Sequence, residues 1–359
     1  MLITILVFIL ILGLLIFVHE LGHFITAKRA GIRVDEFGFG FPPRIWGIKK
    51  GETIYSINLF PIGGFVKIYG EEGKGKKDPR SFASKPALTR AWILVAGVLM
   101  NFLLAAVLLS VGFFMGLPEE ISDNQQNISN PQVQILQTAP NSPASQAGIL
   151  MGDTIASLQF GDQILKTTKV GEVQDFISQH QGQEIIIGIQ RGSEFFEKKL
   201  IPRENPPANE GLIGIALART ALVSYPWYQA LYKGFISTFQ LTLAIIVALA
   251  GLIWSLITTG HLMAEIGGPV KIFVLTGQAA KLGLIYILQF AALININIAI
   301  INIFPIPALD GGRLLFLLIE KIKGSPISQK IEGYAHTAGF ALLILLMIAI
   351  TWRDVVNHF

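Results

Sequence analysis

The sequence predicts a polytopic α-helical membrane protein with a small soluble domain inserted between its spans. The first observation is composition: 52% of the 359 residues are hydrophobic, only 14% are charged, and the mean hydropathy is +0.57. This balance lies outside the range of soluble globular proteins. The second is a series of apolar segments, each reaching the roughly 20 residues that a bilayer requires. The third is a polar stretch of short β-type runs between two of these segments.

Cysteine and charge narrow the classes of protein further. The chain has no cysteine, which excludes disulfides, Cys-based zinc sites and thiol nucleophiles. The net charge is only +4, but 13 of the 28 basic residues lie between Lys28 and Arg90. Such clustering after a first span indicates orientation rather than nucleic-acid binding, so the expected partner is the lipid bilayer and not a nucleic acid. The positive-inside rule puts the N-terminus outside and the following loop in the cytoplasm.

The segments define eight regions. Residues 2–27 have no basic residue before them and no cleavage site after them, so we expect a retained first span rather than a signal peptide. The four predicted spans are 1–30, 91–116, 283–320 and 334–359. The regions between them are a cytoplasmic-side β element and loop (31–90), an extracytoplasmic domain (117–228), membrane-surface or re-entrant helices (229–282) and a cytoplasmic loop (321–333). Both termini are then extracytoplasmic.

The apolar run 234–258 leaves two alternatives open. It is either a fifth span or, as we prefer, a helix or hairpin at the outer face. The preference rests on depth: His19 lies nine residues before Lys28, and Asp310 lies eleven residues before Lys321. These two groups reach a similar depth only if both spans run from outside to inside.

The first span carries a motif that lipid alone does not explain, within "FVHELGHFITAKR". An ionisable group inside a bilayer costs roughly 2.5 to 3.5 kcal/mol on insertion scales, so His19, Glu20 and His23 need compensation. The spacing is that of the H-E-x-x-H zinc motif, in which two histidines share one helical face. A catalytic zinc usually has three protein ligands. Asp310 is the best third candidate, although a role as a helix cap or as a buried hydrogen-bonding residue competes.

The surroundings of Asp310 support a hydrated site. In "NIFPIPALDGGR", Pro305 and Pro307 must break an otherwise apolar helix. Irregular backbone at membrane depth is tolerated only against protein or a water-filled cavity. The helix break and the carboxylate therefore indicate one site shared with the first span.

Together these motifs resemble the site-2 protease family of intramembrane zinc metalloproteases, in its bacterial RseP-type branch. The resemblance extends almost from end to end and combines HELGH with a later LDG. It also includes "GFGFPPRIW", "PIGGFVKIYGEEG", "SFASKPALTRAWILVAGVLMNFLLA", "GGPVKI" and "ININIAIINIFPIPALDGGRLLFLLIEKIKG". It implies a multi-pass protein of the bacterial cytoplasmic (inner) membrane.

The resemblance assigns roles to residues. It implies one Zn²⁺ per chain held by His19, His23 and Asp310, with Glu20 as the general base. It also suggests that Asn297 and Asn302 bind the substrate backbone, although helix–helix hydrogen bonds would explain such asparagines equally well. The β element would hold the substrate as an added strand, which keeps its peptide bonds extended and accessible. Its implied substrate-binding residues are Gly38, Phe39, Gly40, Phe65, Val66, Lys67 and Ile68.

The soluble stretch resembles a PDZ domain of the circularly permuted bacterial type. The segment "SPASQAGILMGDTI" is similar to its helix–turn–strand signature, and "GLIGIAL" to the strand that binds a peptide carboxylate. The implied peptide-binding residues are Gly211, Leu212, Ile213, Gly214 and Ile215. A role as a size filter is the alternative. The stretch has room for one such domain, whereas some relatives carry two.

The expected function is that of an intramembrane zinc metalloendopeptidase. The resemblance implies single-span substrates, such as membrane-bound anti-sigma factors or signal-peptide remnants. The alternative is a membrane-anchored PDZ scaffold or chaperone with a structural metal site. A metal transporter would need several polar residues along a continuous path, whereas the sequence has one polar cluster at depth.

Overall fold

The computed structural model describes residues 1–73, 75–124, 130–208, 210–260, 267–325 and 327–358. The chain divides into two compact units. The first unit comprises Met1–Ser110, Leu231–Gly277 and Leu288–Phe359, and the second comprises Val111–Ala230 and Gln278–Ile287.

Long apolar helices dominate the first unit, and four of them extend into the residue ranges of the second. The helices are α1 (Leu2–Arg29), α2 (Ala87–Met115), α5 (Trp227–Thr259), α6 (Pro269–Leu282), α7 (Leu284–Ile303), α8 (Asp310–Lys323) and α9 (Gln329–His358). By length and composition, five described helices could cross a membrane: α1, α2, α5, α7 and the Lys330–Val356 part of α9. These helices fit a polytopic membrane protein. Because α5 is one continuous helix of 33 residues, a hairpin within 234–258 is excluded.

The predicted break after α7 is present. Helix α7 ends at Ile303 and α8 begins at Asp310, with Pro305 and Pro307 between them. Proline has no N–H to donate and its ring clashes with the preceding turn, so the helix cannot continue. Close approach of backbone at the restart requires Gly311, where a Cβ would overlap the carbonyl oxygens of Ile303 and Phe304.

Region 31–90, expected to contain a β element and a loop, begins with a hairpin of two long strands, β1 (Val34–Lys50) and β2 (Thr53–Ile68). The strands bend, so that β1 pairs with two parts of β2: Phe37 lies opposite both Tyr55 and Val66. The Phe37 side chain is buried and its ring contacts those of Phe17 and Phe24 in α1. These contacts fix the hairpin against the first helix.

The second unit is β-rich. Its strands are β3 (Leu117–Glu120), β4 (Gln132–Thr138), β5 (Thr154–Phe160), β6 (Gln163–Leu165), β7 (Ile185–Arg191), β8 (Glu194–Leu200) and β9 (Ile215–Val223). They form one sheet in the order β3-β9-β4-β5-β7-β8, with β6 paired to β5, and two helices, α3 (Pro143–Gln146) and α4 (Val170–Gln179), accompany it. Strand β7 has the expected period of two: Ile185, Ile187 and Ile189 are fully buried. Each contributes roughly 1.5 to 3 kcal/mol of hydrophobic stabilisation.

A buried ion pair fixes one turn of this domain. The guanidinium of Arg191 donates to both carboxylate oxygens of Asp153, at 2.6 and 2.7 Å, and Asp153 is fully buried. These hydrogen bonds raise the pKa of Arg191. Asp153 also accepts from the backbone N–H of Leu150. The pair is therefore bidentate and closely packed, which is the strong form of this interaction.

The first strand of the domain covers part of the edge of β9. Strand β3 pairs antiparallel with Thr220–Val223, and the N–H of Ile121 donates to the carbonyl of Arg219. Just beyond, the carboxylate of Asp123 accepts from the N–H groups of Val170 and Gly171 at the start of α4. Residues 117–123 therefore join the sheet edge to α4.

Candidate metal centre

Three potential metal ligands converge in the first unit. Nε2 of His19 lies 3.0 Å from Oδ2 of Asp310 and 3.1 Å from Nε2 of His23. Nε2 of His23 lies 3.4 Å from the same oxygen of Asp310. Both histidines are only 6% exposed. Among the described residues, these three form the one group with metal-ligand spacing.

The triangle has the dimensions of a zinc site. Zinc binds histidine nitrogen and carboxylate oxygen at about 2.0 to 2.2 Å, so neighbouring donors of a tetrahedral site are about 3.3 Å apart. The observed separations of 3.0 to 3.4 Å lie close to this value. Two imidazoles and one carboxylate are also a donor set that catalytic zinc uses. The residues therefore fit a zinc ion with three protein ligands.

The helix break presents Asp310 to the histidines. Asp310 is the first residue of α8, so its side chain leaves the chain where the irregular segment ends. That segment is held by α9, because the ring nitrogen Nδ1 of His336 accepts from the N–H of Ala308 at 2.8 Å. Ala308 has a φ of 84°, which is unusual for a residue with a side chain. No motif in the sequence had indicated this supporting role of His336.

Helix α2 forms the wall behind the histidines. Nδ1 of His23 donates to the carbonyl oxygen of Ile93 at 2.8 Å. Four residues later, Gly97 leaves room for both rings, since a Cβ there would overlap Nε2 of His23. Four residues further, the Asn101 amide lies 3.4 Å from Nδ1 of His19. Sequence reasoning had missed this stripe on α2.

Glu20 follows His19 in α1, but its carboxylate forms a hydrogen bond with the hairpin rather than with His19, His23 or Asp310. Its Oε2 accepts a hydrogen bond from the backbone N–H of Val66 at 3.0 Å. Two residues before Val66, a Cβ placed on Gly64 would lie 3.9 Å from Cγ of Glu20. The contact joins the candidate base to the last part of β2.

The hairpin residues implied in substrate binding fall into two groups. Gly38 and Phe39 of β1 are paired on both edges, opposite residues 56–57 and 64–65 of β2. They have no free edge to accept another strand. Among the described residues, the outer edge of Phe65–Ile68 carries no further strand, and Val66 there contacts Glu20. Gly40 forms the bend of β1, with a φ of 78°.

Two asparagines of α7, Asn297 and Asn302, are predicted to bind the substrate backbone. The Asn297 amide donates to the carbonyl of Leu293 in its own helix. No hydrogen bond within the described residues joins Asn297 or Asn302 to the metal-ligand cluster. The asparagine that α7 does direct toward α2 is Asn295, which is fully buried and donates to the carbonyl of Asn101 at 2.6 Å.

The predicted peptide-binding segment Gly211–Ile215 leads into β9. Gly214 has a φ of 73° and lies against Ser142, and its carbonyl accepts from the N–H of Ala139. The Arg203 guanidinium donates to the carbonyl of Gly211. This segment is thus a braced turn at the start of β9, in the second unit.

Comparison with known proteins identifies the chain. The model of peptidase family M50 matches residues 7–346. The chain belongs to this family. M50 is the site-2 protease family, and the chain is an intramembrane zinc metalloprotease, a multi-pass protein of the bacterial inner membrane.

Individual relatives agree with this assignment. The chain is 31% identical to the regulator of sigma-W protease RasP of Bacillus subtilis, with 99% of each chain covered. It is 32% identical to the zinc metalloprotease RasP of Oceanobacillus iheyensis, again over 99% of each chain. A zinc metalloprotease described as putative, from Clostridium perfringens, is 34% identical over 95% of each chain.

Proposed function

We propose that His19, His23 and Asp310 hold the zinc ion of this M50 protease. The observation that carries the proposal is the triangle of donor atoms, with sides of 3.0 to 3.4 Å. A bound zinc supplies a Lewis acid that activates water and polarises a peptide carbonyl. The hydrogen bond between Nδ1 of His23 and the Ile93 carbonyl supports the same arrangement. Because a carbonyl oxygen can only accept, His23 carries its proton on Nδ1, and the lone pair on Nε2 is free to bind the metal.

Glu20 moves the protons of the reaction. It takes a proton from the attacking water, whose oxygen joins the peptide carbonyl carbon. As the C–N bond breaks, Glu20 gives that proton to the leaving amine nitrogen. The hydrogen bond from Val66 holds the carboxylate at the edge of β2 before substrate arrives.

The substrate is a single-span membrane protein held as an extended strand. A helix hides its peptide bonds, whereas a strand added to a sheet edge exposes them. The outer edge of Phe65–Ile68 supports this role because Val66 is already within hydrogen-bond distance of Glu20. Gly38, Phe39 and Gly40 support this edge from behind.

Asn297 and Asn302 would contact the substrate backbone where it passes α7. A relative named as a regulator of sigma-W supports membrane-bound anti-sigma factors as one substrate class, with signal-peptide remnants as another.

The test compares two carboxylates. Glu20→Gln should keep one zinc per chain and abolish cleavage of a single-span reporter in bilayers, because the amide cannot accept the proton. Glu52→Gln, which alters a carboxylate in the turn between β1 and β2 that pairs with Lys28, should leave both unchanged. Cleavage by Glu20→Gln at the wild-type rate would refute the assigned role. A scaffold with a structural metal would bind zinc and cleave in neither form.

Four spans, rather than five, fit the packing within the first unit. Helix α5 begins beside the outer part of α2, where Gly234 packs against Ala106 and Ser110. Ser110 lies nine residues beyond Asn101, about 14 Å outward from the metal ligands. Running inward, the 25 residues from Gly234 to Thr259 would end about 24 Å on the cytoplasmic side of the metal ligands.

The next helix returns to the outer side too soon for such a crossing. Gly268 donates to Asp354 near the end of α9, and the ring of Phe273 contacts that of Phe8 near the start of α1. Phe8 lies 11 residues before His19, and Asp354 lies 15 residues beyond Gly339, which packs against Pro307 of the helix break. These positions are therefore about 16 to 22 Å outward from the metal ligands. Nine residues from Thr259 to Gly268 extend over about 31 Å at most, less than the roughly 46 Å required. An α5 at the outer face avoids the discrepancy.

Cysteine labelling distinguishes the two topologies, since the chain has no native cysteine. A cysteine in place of Gly260 should react with an impermeant maleimide added outside intact cells. A cysteine in place of Ser325, in the predicted cytoplasmic loop, should react only after permeabilisation. Protection of the Gly260 position until permeabilisation would instead support a fifth span.

The β-rich domain is the extracytoplasmic, PDZ-like module. Residues Gly211–Ile215 would receive the free C-terminus of a peptide, which would extend along the edge of β9. Strand β3 already covers that edge from Thr220 to Val223, so the peptide track is short. A tagged C-terminal peptide and the same peptide with an amidated end distinguish this role from a size filter: only the free carboxylate should bind.

A further inference from the structure

The strongest unexplained feature near the metal ligands is the buried amide of Asn101. Asn101 is fully buried in α2, and its Nδ2 is placed 3.4 Å from Nδ1 of His19. Within the described part of the chain, its Oδ1 has no hydrogen-bond donor. A buried amide oxygen without a donor costs about 1 to 3 kcal/mol.

The orientation of this amide determines which nitrogen of His19 is free. If Nδ2 donates to Nδ1 of His19, the ring must carry its proton on Nε2, and that nitrogen cannot bind a metal. Oxygen and nitrogen of an amide exchange places by a half turn of the side chain. After that half turn, Oδ1 faces the His19 ring and accepts from Nδ1–H, which leaves the Nε2 lone pair free beside Asp310.

With the amide in this orientation, an oxygen atom of α2 accepts a hydrogen bond from Nδ1–H of each histidine. The backbone carbonyl of Ile93 accepts from Nδ1–H of His23. After the half turn, the side-chain amide oxygen of Asn101, eight residues along the same face, would accept from Nδ1–H of His19 in the same way. Gly97, midway between them, provides the space for both rings. Metal-binding histidines characteristically donate their second N–H to an oxygen, which fixes the tautomer and the ring orientation.

The position of Asn101 is itself fixed from α7. The amide of Asn295, also fully buried, donates to the backbone carbonyl of Asn101 at 2.6 Å. This bond does not use the Asn101 side chain, so the amide remains available to His19.

We propose that Asn101 is a positioning residue of the metal centre: with its amide oxygen toward His19, it selects the tautomer in which Nε2 is free to bind zinc. This rests on the proposed ligand set. In this proposal, the Asn101 side chain is neither a metal ligand nor a substrate-binding group. Its effect is exerted through His19 alone.

The test measures zinc affinity of the full chain by competition with a chelator. Asn101→Leu removes the acceptor and should weaken zinc binding about 10- to 100-fold, as for other residues that support metal ligands. Asn101→Asp keeps an oxygen acceptor and should bind zinc within a few-fold of wild type. Ser110→Ala is the matched control, a buried polar residue of α2 whose hydroxyl donates to the Ala106 carbonyl; its zinc affinity should not change.

A second measurement reads the tautomer directly. In ¹⁵N-histidine-labelled protein, the His19 resonances, assigned by their loss in His19→Ala, should show Nδ1–H in wild type and Asn101→Asp. Asn101→Leu should show a mixture. Wild-type zinc affinity in Asn101→Leu, or equal loss in the Asp and Leu variants with unchanged ¹⁵N-histidine spectra, would overturn the proposal. Zinc binding that survives His19→Ala would overturn the ligand set instead.

Discussion

Nε2 of His19 lies 3.0 Å from Oδ2 of Asp310, although 291 residues separate them in the chain. One group comes from an uninterrupted helix and the other from the first residue of a helix that restarts after a break. The triangle of donor atoms formed by His19, His23 and Asp310 therefore depends on the packing of α1, α8 and the segment between α7 and α8.

Removal of the Asp310 carboxylate should weaken zinc binding and abolish cleavage. Asp310→Ala leaves two imidazoles, so we expect zinc to fall well below one per chain after dialysis, with cleavage lost. Asp175→Asn, on the exposed face of α4, should change neither. Metal analysis of purified protein provides the measurement. Full zinc occupancy in Asp310→Ala would exclude the aspartate as a ligand.

Gly97 offers a test of the space behind the histidines. Alanine is favoured over glycine in a helix by about 1 kcal/mol, so on propensity alone Gly97→Ala should stabilise α2. Its Cβ would, however, overlap His23 and lie 2.8 Å from Cε1 of His19. We expect displaced rings and weaker zinc binding, measured by chelator competition. The control is Gly251→Ala in α5, where a Cβ meets nothing within 4 Å. Equal zinc affinity in the two variants would contradict this account.

Gly40, at the bend of β1, allows the effect of backbone strain to be distinguished from that of steric overlap by an added Cβ. Gly40 and Gly51 both have positive φ, 78° and 64°, so alanine costs about 1 kcal/mol or more at either site. At Gly51 a Cβ meets nothing, whereas at Gly40 it would lie 3.2 Å from the Asn58 carbonyl and nearer still to that of Phe60. We expect Gly40→Ala to be cut faster by a protease within the hairpin and to cleave substrate more slowly. If Gly51→Ala is affected as strongly, the overlap is not the cause.

In the β-rich domain, a buried and an exposed ion pair can be compared. Arg191→Met leaves the carboxylate of Asp153 buried and unpaired, which costs about 3 to 5 kcal/mol. Lys199→Met breaks an exposed 3.5 Å pair with Glu184, which is worth about 0 to 1 kcal/mol. Hydrogen exchange of the β7 amides in the full chain should therefore accelerate in the first variant only. Similar exchange in both would show that the buried pair does not stabilise the domain.

Sequence reasoning reached furthest where spacing or covalent geometry decides the outcome. Histidines four residues apart on a helix must share a face, and two prolines in an apolar run must interrupt it, so His19, His23 and the break before Asp310 followed directly. The contact of Glu20 with Val66 could not be foreseen, because it depends on how a bent hairpin packs against α1. Gly97 and Asn101 were missed for another reason: single small or polar residues in an apolar helix usually serve helix packing. Only the two steps of four residues, from Ile93 to Gly97 and from Gly97 to Asn101, marked one face of α2.

The short strand β3 has a practical consequence for anyone who wishes to excise the soluble domain. It begins two residues after α2 ends and supplies the pairing partner of Thr220–Val223. A fragment that started after residue 124 would lack this partner and would present a bare strand edge, which invites aggregation. Such a fragment would also lack the carbonyl groups of Ser122 and Asp123, which accept hydrogen bonds from the Arg219 guanidinium. A soluble fragment should therefore begin at or before Leu117.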